Sequence, residues 1–142
     1  MTGSSVPLPD LDATRALAAR LAPQLKAGDF LALIGELGTG KTTFARALIG
    51  ALGVTDPVPS PTFTLMQSYE TPAFPIVHFD LYRLKTPDEL DELGWEDILP
   101  DSLTLVEWPE RAGTRLPPHR LTLHFALSPE GIRFCQIYRT PP

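Results

Sequence analysis

Eight consecutive residues carry the clearest chemistry in this chain. Gly35-Glu-Leu-Gly-Thr-Gly-Lys41-Thr42 has the G-x-x-x-x-G-K-T spacing of the phosphate-binding loop known as Walker A. Glycines let the backbone turn tightly and aim successive N–H groups at phosphate oxygens. The lysine brings a cation to the terminal phosphates, and the hydroxyl after it suits Mg²⁺. The spacing predicts a site for a nucleoside triphosphate with Mg²⁺. Two acids close apolar runs: Asp80 ends Ile76-Val-His-Phe-Asp80, and Glu107 ends Leu103-Thr-Leu-Val-Glu107. Beside such a loop, an acid at the carboxyl end of a strand holds the water shell of the metal or orients an attacking water. Glu107 is the candidate for the magnesium-linked acid. Asp is the usual residue in that role, so the longer Glu arm suggests contact through water. For Asp80 the plain alternative is a carboxylate paired to Arg83.

A phosphate loop works only between a strand and a helix, and the flanking sequence supplies both. Phe30-Leu-Ala-Leu-Ile34 enters as a buried parallel strand would, and the chain from Lys41 leaves as a helix with Phe44, Leu48 and Leu52 on one face and Gly53 at its end. Upstream, a helix is expected from about Asp12 to Lys26, capped by Asp10 or Asp12, with Leu17, Leu21 and Leu25 inward and Pro23 as a point of kinking or shortening. Downstream come a proline-bounded loop to Thr62, strands over 63–69 and 76–80, and a capping box at Thr86-Pro-Asp-Glu89 opening a short helix that Gly94 ends. A strand follows at 103–107. A hairpin then joins 119–127 to 132–138 through the turn Ser128-Pro-Glu-Gly131. The fold class is α/β and phosphate-loop NTPase-like, a mostly parallel sheet flanked by helices with a C-terminal antiparallel hairpin, and the ligand belongs at the carboxyl ends of the strands.

At 142 residues, 43% of them hydrophobic, the chain suits one domain over 1–142. It contains no apolar run of membrane-spanning length, and its start lacks the pattern of a secretory signal, so a soluble cytoplasmic protein is expected. The net charge of -5 argues against a broad basic surface holding nucleic acid; contact with RNA would run through a partner. The single cysteine, Cys135, reads as core filler. His78, His119 and His124 lack metal-ligand spacing and read as surface or hydrogen-bonded histidines. Trp95 and Trp108 read as packing anchors, Trp108 with a second role beside Glu107. Asp91-Glu-Leu-Gly94 imitates the D-x-x-G of GTPases, but a helix ending at its glycine explains it equally.

The phosphate loop, Ser60-Pro-Thr-Phe-Thr64, His78-Phe-Asp-Leu-Tyr-Arg83, the 94–97 segment and Leu105-Val-Glu-Trp-Pro-Glu110 occur in that order, and in this the chain resembles the TsaE (YjeE) family of small bacterial ATPases. The family is required for threonylcarbamoylation of the adenosine next to the anticodon in tRNAs. The resemblance spans roughly residues 8 to 135. It implies that Gly38, Thr39, Gly40, Lys41, Thr42 and Thr43 bind the phosphates of ATP, that Thr42 and Glu107 handle Mg²⁺, and that Asp80 serves hydrolysis. Thr62 would sit in a nucleotide-sensing loop. Trp108, Pro109, Glu110 and Arg111 would flank the nucleotide, and Leu11 would cover the adenine. Arg133 in the terminal hairpin either reaches the nucleotide or is an exposed strand arginine. The implied partners are the TsaD and TsaB proteins, with tRNA met only through them and no membrane.

Other readings stay open on the residues alone. In a small-molecule kinase Asp80 would take a proton from a substrate hydroxyl, although the chain is short for an acceptor-binding lid. A GTPase is disfavoured, because the chain contains no asparagine and no Thr-Lys-x-Asp pattern for guanine. A module that binds nucleotide without hydrolysing it also fits. No arginine is an evident finger, so turnover by the chain alone is expected to be slow and partner-dependent.

Overall fold

Five apolar residues in a row can be buried on both faces only in the middle of a sheet, and that is where β2 (Phe30–Ile34) lies. The computed structural model describes residues 4–36, 39–55 and 65–140. Within them one seven-stranded sheet runs in the order β1-β7-β6-β2-β5-β4-β3. β2 pairs in parallel with β5 (Leu103–Glu107) and β6 (Arg120–Leu127), and β5 in parallel with β4 (Ile76–Asp80). Antiparallel strands complete both sides: β7 (Arg133–Thr140) and then β1 (Ser4–Pro7) beyond β6, and β3 (Met66–Tyr69) beyond β4. The α/β class, the parallel centre and the C-terminal hairpin are as the sequence predicts. The hairpin turn forms with Gly131 N donating to Ser128 O at 2.9 Å.

Two apolar layers cover the sheet. On one face Leu31, Leu33, Leu105 and Leu123 meet α1 (Leu11–Leu21) and α2 (Lys41–Ala51), where the Phe44 ring packs tilted against Phe125 at 5.5 Å and Cys135 is fully buried. On the other, Phe30, Val77, Phe79 and Val106 surround Trp95, whose ring lies edge-on to Phe30 and Phe79 at 5.7 and 5.0 Å. The Trp95 indole donates to Arg115 O at 3.0 Å, which satisfies its polar atom and makes it the packing anchor expected.

Several boundaries differ from the sequence reading. Asp10 is the cap of α1, accepting from Ala13 N at 2.8 Å. The α-helix stops at Leu21, five residues early, because the chain tightens into a 3₁₀ turn over Ala22–Gln24 around Pro23, which has no N–H to continue the ladder. The predicted capping box at Thr86 is absent: Asp88 is the N-cap of α3 (Glu89–Glu92) without a side-chain bond, and Glu89 instead accepts from Lys85 N at 3.4 Å. Gly94 ends α3 as expected. A further turn of helix, α4 (Trp95–Ile98), then begins at once. The acidic face of α3 is exposed, and Arg115 ties it to the fold by bridging Asp88 at 2.7 Å and Asp91 at 2.9 Å. β1 was not expected at all: Ser-Ser-Val-Pro has little strand character of its own and depends on pairing with β7. The 63–64 part of the strand predicted over 63–69 lies outside the described residues.

Candidate functional site

The site forms where β2 ends and α2 begins. Gly35 leaves β2 at φ +150, and a Cβ there would come within 2.6 Å of Phe125 O and 2.7 Å of Thr39 Oγ1. Only glycine lets the loop press this closely on β6. Thr39 Oγ1 donates to Glu36 O at 2.6 Å, folding the loop on itself. Gly40 at φ +105 is the N-cap of α2 and lacks a side-chain cap, so among the described residues no capping side chain competes with an anion for the first N–H groups of the helix. Gly38 and Thr62 lie outside the described residues.

Strand register explains which side chains meet. Asp80 sits directly opposite Glu107 across β4–β5, and Leu33 opposite Glu107 across β2–β5. Paired residues share a face, so Asp80 and Glu107 stand on the side covered by α2. By the same alternation His78 joins them, two residues before Asp80. Thr42 on the first turn of α2 donates to Glu107 Oε1 at 2.8 Å, and His78 Nε2 lies 2.7 Å from Glu107 Oε2. His78 and Glu107 are both buried. Burial by itself would raise the Glu107 carboxyl; the hydrogen bond and charge of His78, the Thr42 bond and the Lys41 ammonium together outweigh it and hold the group below its ordinary value. Asp80 shifts the opposite way: desolvation lifts it, helped by the neighbouring Glu107 charge and opposed by the bond from Tyr82 N to Oδ1 at 3.1 Å. Among the described residues Asp80 makes no ion pair with Arg83.

Lys41 is buried with its Nζ lacking any hydrogen-bond acceptor among the described residues, resting 3.6 Å from the centre of the Trp108 ring. Desolvation lowers its pKa, against the attraction of Glu107, Glu110 and Asp80. Trp108 holds this position through a left-handed backbone, φ 59 and ψ 50, a conformation that costs a bulky residue of order 1–3 kcal/mol. The kink turns the chain away from β5 into the 3₁₀ segment Pro109–Arg115 and sets the indole 5.0 Å from the Tyr82 ring.

The other expected residues divide into near and peripheral. Thr43 is exposed on the first turn of α2, and Pro109 is buried while Glu110 is exposed. Arg111 turns aside, donating to Leu84 O at 3.5 Å with its guanidinium 5.9 Å from the Tyr82 ring. Leu11 begins α1 and is 45% exposed. Arg133 opens β7, and its carbonyl accepts from Leu8 N at 2.8 Å. β6 runs parallel to β2 and ends opposite Arg133, so Leu11 and Arg133 stand at the same end of the sheet as the loop, to one side of Lys41. Sequence reasoning gave His78 only as a surface or hydrogen-bonded histidine and Tyr82 no role of its own; the structure buries His78 and bonds it to Glu107. For His78 the signal was present, since the period of two in Ile76-Val-His-Phe-Asp80 puts it on the face of Asp80.

The open sheet with its parallel centre, the glycine loop at the end of its central strand and the helix that follows define a protein of the phosphate-loop NTPase-like class. A crystal structure of Bacillus subtilis YdiB superposes with a TM-score of 0.81 at 29% identity, covering 99% of this chain and 87% of that one. The chain belongs to the TsaE family, whose model, described as "Threonylcarbamoyl adenosine biosynthesis protein TsaE", matches residues 8–133. A tRNA threonylcarbamoyladenosine biosynthesis protein TsaE of Rickettsia bellii is 41% identical over 138 residues, 96% of each chain. Its counterpart in Rickettsia felis is 43% identical over 125 residues, 87% of this chain and 73% of its own. Among the described residues no helix is long and apolar enough to cross a membrane.

Proposed function

We propose that this chain binds and hydrolyses ATP with Mg²⁺ as a subunit of the machinery that makes threonylcarbamoyladenosine in tRNA, working with the TsaB and TsaD proteins. One observation carries the reading: a buried lysine ammonium without a hydrogen-bond acceptor among the described residues, at the head of a helix and in the field of three acids, Glu107, Glu110 and Asp80. A buried unpaired charge is costly, and a polyphosphate would supply the missing acceptors. The residues fit the metal as well, because Thr42 and Glu107 offer hard oxygens side by side.

Bound Mg²⁺ would neutralise charge on the terminal phosphates. Lys41 would leave the Trp108 ring for those oxygens, while the N–H groups after Gly40 take the remainder. Thr42 and Glu107, now sharing a hydrogen bond, would turn their oxygens outward to the metal or its waters. Asp80, paired in register beside Glu107 with a raised pKa, is suited to orient a water and take its proton. Leu11 and Arg133 form the side of the site on which a base would lie. The family name of the relatives supports the role in tRNA modification, and the acidic character of the chain supports reaching tRNA through partners.

The test is ATP turnover with and without the TsaB and TsaD pair, for wild type and for Lys41→Ala, Asp80→Ala and Glu107→Ala. Slow turnover alone, faster with the pair and lost in the variants, is expected. Full activity in Lys41→Ala or Glu107→Ala contradicts the assignment.

A further inference from the structure

Glu107 is a longer and looser arm than the aspartate usually found at such a strand end, and something must fix it. Ionised, its carboxylate can accept several hydrogen bonds. Thr42 takes one oxygen, and the other meets only His78 among the hydrogen bonds formed by the described residues. His78 lies opposite Leu105 on the neighbouring strand, diagonal to Glu107. Diagonal pairs stand about 7–8 Å apart, a gap that long side chains close. The imidazole is fully buried and directs one nitrogen to Glu107 at 2.7 Å, while Nδ1 has no partner among the described residues. A half-satisfied buried ring costs stability. Selection for packing alone would have left an apolar residue there, like Ile76 two positions earlier on the same face.

We infer that His78 is a positioning residue, its Nε2–H holding the Glu107 carboxylate so that the second oxygen faces Thr42 and the metal position. The inference rests on the proposed Mg²⁺-dependent hydrolysis for its purpose, and on the two hydrogen bonds for its geometry. Groups that orient a metal-linked side chain through a hydrogen bond typically change metal affinity or activity about 10–100-fold when removed. Loss of His78 therefore weakens the metal and slows turnover, and leaves nucleotide binding in the absence of metal unchanged.

The experiment compares wild type, His78→Leu and His78→Gln. Gln carries an amide N–H close to the reach of Nε2; Leu fills the space without a donor. Binding of Mn²⁺ in the presence of ADP is followed by electron paramagnetic resonance, and ADP affinity is measured separately in chelator. His78→Leu is expected to weaken Mn²⁺ binding about 10–100-fold at unchanged metal-free ADP affinity, and His78→Gln to restore most of it. Equal Mn²⁺ affinity in all three overturns the inference, as does Gln failing as badly as Leu. Should His78→Leu not fold, His78→Asn, whose amide is too short to reach Glu107, takes its place. If wild type binds no nucleotide, the hydrolysis reading falls by itself; crystal structures of wild type and variant still decide the geometry, and a Glu107–Thr42 bond kept intact without His78 refutes the positioning role.

Discussion

Replacing Lys41 with methionine should stabilise the nucleotide-free protein while removing its ligand. Nζ is buried without a hydrogen-bond acceptor among the described residues, and leaving such a group unpaired costs about 1–3 kcal/mol, more for a charge. Against this stands its contact with Trp108, 3.6 Å from ammonium to ring centre, worth about 2 kcal/mol when desolvated. Methionine keeps the length of the side chain and recovers about 0.3–1.5 kcal/mol from its own sulfur–aromatic contact. Glu107 loses a nearby cation but keeps its bonds to His78 and Thr42. The balance favours Lys41→Met by about 1 kcal/mol, which in a chain of this size raises the melting temperature by about 3 °C. Calorimetry without nucleotide reads this directly. Adding Mg·ATP at a hundred times its dissociation constant should then stabilise wild type by about 2.7 kcal/mol, reversing the order, and leave the variant unmoved. A variant that melts well below wild type without nucleotide would refute the reasoning, because the ammonium would then be a net stabiliser of the empty fold.

Gly35→Ala should disrupt the loop before any ligand arrives: the added methyl meets Phe125 O at 2.6 Å at a backbone angle of φ +150, so strand and loop must part, and both lower stability and weaker nucleotide binding are expected by denaturant titration and calorimetry. Cys135 should resist alkylation in the folded state at pH 8 to 9, because burial pushes its thiol from 9.0 up to about 12. The sign follows from linkage. The folded state holds this proton more tightly than the unfolded one, so the stability tied to it is complete below pH 9.0 and is lost as pH rises towards about 12; labelling kinetics that match those of an unfolded peptide would contradict the burial.

The elements nearest the chemistry were the most legible in the sequence, because each depends on local physics. The loop glycines, the apolar run of β2 and the hairpin turn at Ser128–Gly131 declare themselves in a few residues. What escaped depends on partners distant in sequence. Ser4–Pro7 becomes a strand only beside β7, and α4 only because the Trp95 ring finds Phe30 and Phe79. The left-handed turn at Trp108 has no local signature, since nothing in Glu-Trp-Pro announces a strained backbone. His78 fell between the two cases: its alternation was visible, but its bond to Glu107 needs the β4–β5 register, which no single segment encodes.

The sheet also acts as a partition. Lys41, Thr42, His78, Asp80 and Glu107 all belong to the α2 side, whereas the Trp95 layer across the sheet carries apolar packing. An engineer seeking a longer-lived protein can therefore remodel the Trp95 layer with little disturbance to the reactive groups, as one reinforces the back of a panel whose instruments are mounted on the front. Trp108 is the fastener that passes through, packing against the Trp95 layer while its ring lies under Lys41, and it is the position that such remodelling must leave alone.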